Sequence, residues 1–356
     1  MTLNFDVDRP EEENDGTLNL KTATGLQELL NLRGVGPKKA VDLASAFGTW
    51  GRLLHATEAE LVAVLGKPKD KENGWNVPTE PAGAPEELPH GVRLIGFFDD
   101  DFPDRLRTIP SPPALLWVRG TLPQGLTLAV VGTRNPTRFG RVVVDQVCKW
   151  AGETGVGIVS GLALGIDAAA HEKALEWGCK TWAILGSGVD VPSPPANVGL
   201  AERILEAGGG LIAEVKCGTA PEPRHLVARD RLQSGIAHAT VIAQAGVPSG
   251  TLHTARFTLE QGRPLVVGRP KASHAIEKQS EANYALTDPK GLSLPNETNE
   301  GSDVAKSKKD SKHKETNILG AKGSLAATIL AKRPVADLVL KDRSDVPKIW
   351  DLIKNG

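Results

Sequence analysis

Cysteine is scarce in this chain of 356 residues. Cys148, Cys179 and Cys217 are odd in number and far apart and form no CxxC pair, which argues against a disulfide scaffold and against a zinc site. No apolar run approaches the ~18 residues of a membrane span. The opening stretch MTLNFDVDRPEEEND is acidic and lacks the apolar centre of a signal peptide. An excess of either charge is missing too. Lysine plus arginine is 42 against 43 acidic residues, a net charge of −1, so affinity for nucleic acid has to come from local patches. What is present is 40% hydrophobic and 24% charged, the balance of a globular protein with a sizeable core. The expectation is a cytoplasmic protein with no membrane segment, no metal and no cofactor.

Changes in composition divide the chain. Residues 1–20 are acidic and patternless and read as a disordered lead. Residues 21–66 carry helical apolar spacing (Leu26, Leu29, Leu30; Val41, Leu43, Ala44, Phe47; Leu61, Val62, Val64, Leu65). Residues 67–90 are rich in proline, glycine and charge and read as a linker. The core spans 91–270, then come a charged linker over 271–316 and a short carboxy-terminal segment over 317–356. Prolines at 103, 110, 112, 113 and 123 forbid a long helix early in the core, so short strands are expected at Arg93–Gly96 and Leu115–Val118. From 126 to 268, apolar runs of strand length (LTLAVVG, VGIVSG, KTWAILG, GLIAEV, ATVIAQA, RPLVVG) alternate with segments of helical length. Continuous apolar strands alternating with helices predict a mostly parallel, doubly wound α/β sheet covered on both faces.

Between the first two helical patterns lies Gly34-Val35-Gly36-Pro37-Lys38-Lys39. The glycines permit a tight turn, and Pro37 suits the first turn of a helix. Such a turn exposes unpaired backbone N–H groups to an anion, with Lys38 and Lys39 adding charge. The spacing resembles a helix-hairpin-helix, which binds DNA phosphates without reading sequence. Gly34, Gly36, Lys38 and Lys39 are therefore a second candidate DNA site; the alternative is a hairpin used for packing.

Nearly every core strand ends in glycine or another small residue, where open α/β sheets bind ligands. The first ends in Gly132-Thr133-Arg134, without the GxGxxG fingerprint of a dinucleotide oxidoreductase but with a hydroxyl and an arginine fork suited to phosphate. The second ends in Ser160-Gly161 and continues to Gly165, Asp167 and His171. Asp167 and His171 sit four apart and could form an acid–base pair, but no nucleophile or third metal ligand adjoins them, so capping and packing are the expected roles. Gly186 and Gly188 end the third strand, with Asn197 beyond. Ser249, Gly250 and Thr251 follow the fifth. Arg229 and Arg231 lie two apart and cannot share a helical face, so one is expected to face the ligand and the other to pack or pair with a carboxylate. Glycine–hydroxyl turns accompanied by arginines point to a phosphate-rich ligand.

The segments SGLALGIDAAAH, LGSGVD, PPAN, RDRLQSGIAHATVIAQA, SGTLHTA and EQGRPLVV, in that order, resemble the Rossmann-like core of the DprA/Smf DNA-processing family. The stretch GVRLIGFFDDDFPDRLRTIPSPPALLWVRGTL is similar to its lead-in, and the amino-terminal hairpin also fits. The likeness covers roughly 24–268. It implies a small all-α helix-hairpin-helix domain before a Rossmann-like sheet. The implied function is non-catalytic: binding of single-stranded DNA, homodimerisation, and help in loading the RecA recombinase during natural transformation. The implied phosphate contacts are the turn residues named above together with Asn197, Arg229 and Arg231.

Departures from the family pattern fall on the proposed DNA face. Leu164 stands where many members carry a cation, Ser193 and Pro195 where tyrosine and lysine are frequent, and Leu226 where phenylalanine is common. Asp230 replaces the asparagine of the usual RNR, and Gln244 replaces a glutamate. These changes leave room for a nucleotide-derivative sensor using the same pocket, in stress or phage defence. A nucleoside-processing hydrolase on this fold would resemble phosphoribohydrolases with PGGxGTxxE. AGVPSGTLHTARFTLE lacks their double glycine and close glutamate, so catalysis is not expected.

Overall fold

The computed structural model describes residues 16–67, 75, 77–81, 87–247, 249–270, 278–287 and 336–355. The chain forms two compact units, Met1–Pro123 with Trp182–Leu232, and Gln124–Thr181 with Gln233–Gly356.

The first unit begins with four helices, α1 (Ala23–Asn31), α2 (Pro37–Phe47), α3 (Trp50–Leu54) and α4 (Glu58–Leu65). Thr22, Thr49 and Thr57 cap α1, α3 and α4 by accepting backbone N–H groups, while α2 starts with Pro37 at its first turn. Leu26, Leu29, Leu43, Leu53 and Leu61 are buried. Part of the expected disordered lead is ordered. Leu20 is fully buried and donates its N–H to Gly48 O at 2.8 Å, and Trp50 N–H reaches Leu18 O at 2.8 Å. An apolar side chain beside the helices outweighed the polar composition around it. Residues 1–15 lie outside the described residues.

Helix α1 also packs on strand β1 (Val92–Gly96): a Cβ on Gly96 would meet Leu26 Cδ1 at 3.2 Å and Ala23 N at 3.3 Å. After α5 (Asp104–Arg107) the unit continues through β2 (Leu115–Gly120), β5 (Thr181–Leu185), α8 (Val198–Glu206), β6 (Gly210–Ala213) and α9 (Pro223–Ile236), where the chain passes to the second unit. Strands β1–β2 and β2–β6 pair antiparallel, and β5–β6 pair parallel.

The second unit contains β3 (Thr127–Gly132), α6 (Arg138–Thr154), β4 (Gly157–Ser160), α7 (Ile166–Glu176), β7 (Ala239–Gln244), α10 (Thr251–Glu260), β8 (Leu265–Gly268), α11 (Glu281–Thr287), β9 (Leu338–Leu340) and α12 (Ile349–Asn355). Its strands run in the order β4-β3-β7-β8-β9, all parallel. The period of two is visible in the core. Leu128, Val130, Val241, Ala243 and Val266 join one apolar cluster with α6 and α7. Val131, Ile242, Leu265 and Val267 join another with α10 and α11. A sheet with both faces covered needs apolar residues at successive positions, which explains the uninterrupted runs in the sequence.

Two stretches depart from the sequence reading. The expected charged linker 271–316 contains α11, a core element: Ala282 and Leu286 are buried, and Asn283 accepts Ala245 N–H at 2.6 Å and donates to Gly268 O at 2.7 Å. Composition averaged over a long window hid this short apolar patch. From the terminal segment, β9 extends the sheet beside β8, and Leu340, Val346, Ile349 and Ile353 join the cluster that lines α6. Residues 288–335 lie outside the described residues.

Candidate nucleic-acid interface

In the second unit the turn after β3 is held from two sides. Thr133 N–H donates to Gln244 O at 2.7 Å, and Ile166 N–H donates to Thr133 O at 3.1 Å. Gly132 is squeezed by both neighbours, since a Cβ there would meet Gln244 O and Ile166 Cγ1, each at 2.6 Å. Gly165 has φ +84°, and its missing side chain makes room for the turn: a Cβ would lie 2.4 Å from Thr133 O and 2.5 Å from Arg134 O. Asn135 N–H closes onto Thr133 Oγ1 at 3.2 Å. Arg134 is exposed on this immobilised turn. Gln244, fully buried, accepts Thr137 N–H at 2.9 Å and donates to Ser280 Oγ at 2.9 Å, so it satisfies the entry of α6 where Thr137 makes no side-chain cap.

Ser160 is buried and donates to Val130 O at 2.6 Å, a structural bond that fixes β4 beside β3. The Asp167 carboxylate accepts Gly161 N–H at 3.1 Å and thereby shapes the Gly161–Gly165 loop. The sequence suggested a helix cap, but the N-cap of α7 is Gly165, which makes no side-chain bond. His171 Nδ1 lies 2.8 Å from Thr181 Oγ1 with no solvent exposure, a packing role. Leu164 is 47% exposed beside the Arg134 turn. Gly250 is exposed, and Ser249 Oγ accepts Thr251 N–H at 3.2 Å at the start of α10. In that helix, burial and then Arg256 lower the His253 pKa.

The remaining core candidates belong to the first unit. Gly186 lets Leu226 approach, with a Cβ there 2.8 Å from Leu226 Cδ2, and Gly188 N–H donates to Thr219 O at 2.9 Å. Asn197 is buried at the end of a 3-10 turn leading into α8. Arg229 and Arg231 are both turned inward. Arg229 Nε donates to Asp230 Oδ1 at 2.9 Å and its Nη1 to Ile184 O, while Arg231 Nη2 donates to Glu214 Oε1 at 2.6 Å. The reading that one of them faces ligand is therefore corrected: both pair with carboxylates, and each residue is less than a tenth exposed. Helical spacing separates them, but each finds its own acid, one adjacent in sequence and one beyond the end of β6. Asp230 was visible from the sequence; Glu214 was not, because its approach depends on how α9 lies against β6.

The amino-terminal hairpin turns at Gly34 with φ +82°. Its cations are engaged: Lys38 Nζ pairs with Asp42 at 3.0 Å, and Lys39 Nζ sits 4.5 Å from the centre of the Trp75 ring, which also covers Gly34. Gly36 is the uncapped N-cap of α2. Among the described residues no cluster of His, Cys, Asp and Glu could hold a metal ion, and no helix is long and apolar enough to cross a membrane.

A doubly covered, mostly parallel sheet with helices between its strands defines a Rossmann-like α/β protein. A family model described as DNA recombination-mediator protein A matches residues 93–289, and the chain belongs to that family. It is 39% identical over 173 residues to Protein Smf of Synechocystis sp., covering 47% of this chain and 43% of that protein. It is 34% identical over 178 residues to DNA processing protein DprA of Bacillus subtilis, covering 49% and 60%. The chain spans about half the length of the curated relatives it matches. The X-ray structure of DNA processing protein A from Streptococcus pneumoniae shares the fold, with a TM-score of 0.59 at 24% identity over 74% of this chain and 92% of that one.

Proposed function

We propose that this chain is a non-catalytic cytoplasmic DNA-processing protein that binds single-stranded DNA through its phosphates. By the role its family resemblance implies, it forms a homodimer and assists the loading of RecA in transformation or recombination. The observation that carries the reading is Arg134, an exposed guanidinium on a turn fixed by Gln244, Gly165 and Ile166. With the backbone of the turn already fixed, only the arginine side chain has to be ordered on meeting a phosphate, and phosphate contacts carry affinity without sequence preference. Gly132, Thr133 and the Gly161–Gly165 loop shape the turn beneath it, with the Thr133 and Gly161 N–H groups taken by Gln244 O and the Asp167 carboxylate.

Fluorescence anisotropy with labelled single-stranded oligonucleotides across a salt series tests this. Binding should fall steeply with salt, be indifferent to sequence, and weaken for Arg134→Ala. No binding at low salt, or full affinity in that variant, would overturn the proposal. Release of free base from a nucleoside monophosphate would overturn its non-catalytic part.

The inward-turned Arg229 and Arg231 favour one second reading, a sensor of a single nucleotide derivative, because the exposed charge left at the turn suits one phosphate group. A large rise in melting temperature with a mononucleotide, without oligonucleotide binding, would select it.

A further inference from the structure

Helix α6 leaves the Arg134 turn and carries a line of cations on its solvent side. Arg138, Arg141 and Lys149 are exposed, and at 100° per residue they fall within a band about 80° wide that extends over about 16 Å of helix. Among the described residues Arg134, Arg138 and Arg141 make no ion pair. Many other cations do, including Arg119 with Glu202, Arg231 with Glu214 and Lys38 with Asp42. The one acid in the band is Asp145, already engaged by Lys173 Nζ at 3.1 Å and by Trp177 Nε1–H at 3.2 Å.

Trp177, just beyond α7, ends this line. Its backbone is drawn against α6 where Gly152 has no side chain: a Cβ there would lie 2.3 Å from Trp177 O. Its ring carries Lys149 Nζ 5.1 Å from the centroid, and its indole N–H is fixed by Asp145. The residue nevertheless stays 37% exposed. An indole pinned at its edge and backbone but open to solvent is a pre-organised stacking surface, and aromatic stacking on bases tolerates any sequence.

We propose that the outer surface of α6, from Arg138 and Arg141 to the Lys149–Trp177 pair, is a second stretch of the single-strand path, on which phosphates leaving Arg134 meet the arginines and a base stacks on Trp177. This rests on the proposed binding of single-stranded DNA at the turn and adds a footprint to it. A nucleic acid suits the surface better than an acidic polypeptide, because a row of cations ending in an accessible indole offers something to bases as well as to negative charge.

The test measures affinity of the full chain for oligothymidylates of about 6 and about 24 nucleotides, lengths chosen to fit within and to exceed a single binding surface. The longer strand should bind more tightly. Trp177→Ala, and separately the double variant Arg138→Gln/Arg141→Gln, should each weaken the longer strand about tenfold and leave the shorter within about twofold. The arginine variant should also lower the salt slope by about 1–2. With an abasic strand of the longer length, the Trp177→Ala effect should vanish. Both arginines are exposed, so that variant reports on the surface even if Trp177→Ala fails to fold.

If the wild-type chain binds neither length at low salt, the reading of the turn itself fails. If it binds both lengths equally, or neither α6 variant weakens the longer strand, the path fails while the turn site stands. Polyglutamate competing as well as the oligonucleotide would overturn the nucleic-acid assignment of this surface.

Discussion

The side chain of Gln244 grips Thr137 twice: Oε1 accepts the Thr137 backbone N–H at 2.9 Å, and Nε2 donates to the Thr137 hydroxyl at 3.1 Å. Since β7 also holds the preceding turn through Gln244 O, one residue fixes both the Arg134 turn and the helix that follows it. Gln244→Ala leaves the Thr137 N–H short of an acceptor in a partly buried setting and should cost about 1–3 kcal/mol in urea unfolding. Affinity for single-stranded DNA should fall several-fold in the same variant, because Arg134 then sits on a looser turn.

Arginines of different burial should separate binding from stability. Arg134→Ala removes an exposed side chain, so the free energy of unfolding should move by no more than about 0.5 kcal/mol while DNA affinity drops. Arg231→Ala strands Glu214 in a site where the pair is almost wholly covered and should cost about 3–5 kcal/mol. Paired denaturation and anisotropy curves on the two variants check this. Equal stability losses would contradict the inward assignment of Arg231.

The terminal segment belongs to the core of the second unit. Trp350 meets Trp150 edge-on, with ring centroids 6.1 Å apart at 80°, and Ile349 is fully buried beside them. Ile349→Ala should cost about 2–5 kcal/mol, the usual range for deleting a large buried aliphatic group. Guanidinium titration followed by far-ultraviolet circular dichroism measures it. An unchanged midpoint would mean that β9 and α12 contribute little to the fold.

The thiols give a pH prediction. Burial pushes the Cys179 thiol up to about 11 and holds Cys148 well above its ordinary value. The folded state thus favours the protonated thiols, and the unfolded chain gives up its protons first. Stability from this source is complete below the ordinary thiol value of 9.0 and should decline as pH climbs from there toward about 11. Cys179→Ala should flatten that decline in melts taken across the alkaline range. In the folded protein a thiol reagent at mildly alkaline pH should label the partly exposed Cys217 quickly, and the two buried cysteines only on unfolding.

The sequence by itself determined the alternation of strands and helices, the doubly covered parallel sheet and the small residues at the strand ends. These are local properties: apolar period, helix length and backbone freedom are written into consecutive residues, and β1 to β8 and α6 to α10 lie within a few residues of where the pattern puts them. It also singled out Arg134, because an arginine in a strand-end turn has little to do but face solvent or ligand.

Only the tertiary structure decided what each polar group faces. Glu214 claims Arg231, Gln244 clamps the entry of α6 at Thr137 from 107 residues away, and Trp177 settles over α6 because Gly152 leaves room. The terminal strand β9, far along the chain from β8, closes one side of the sheet of the second unit for the same reason. Such pairings depend on distances between segments remote in the chain, and an ion pair or hydrogen bond of about 3 Å is set by packing that no local pattern records.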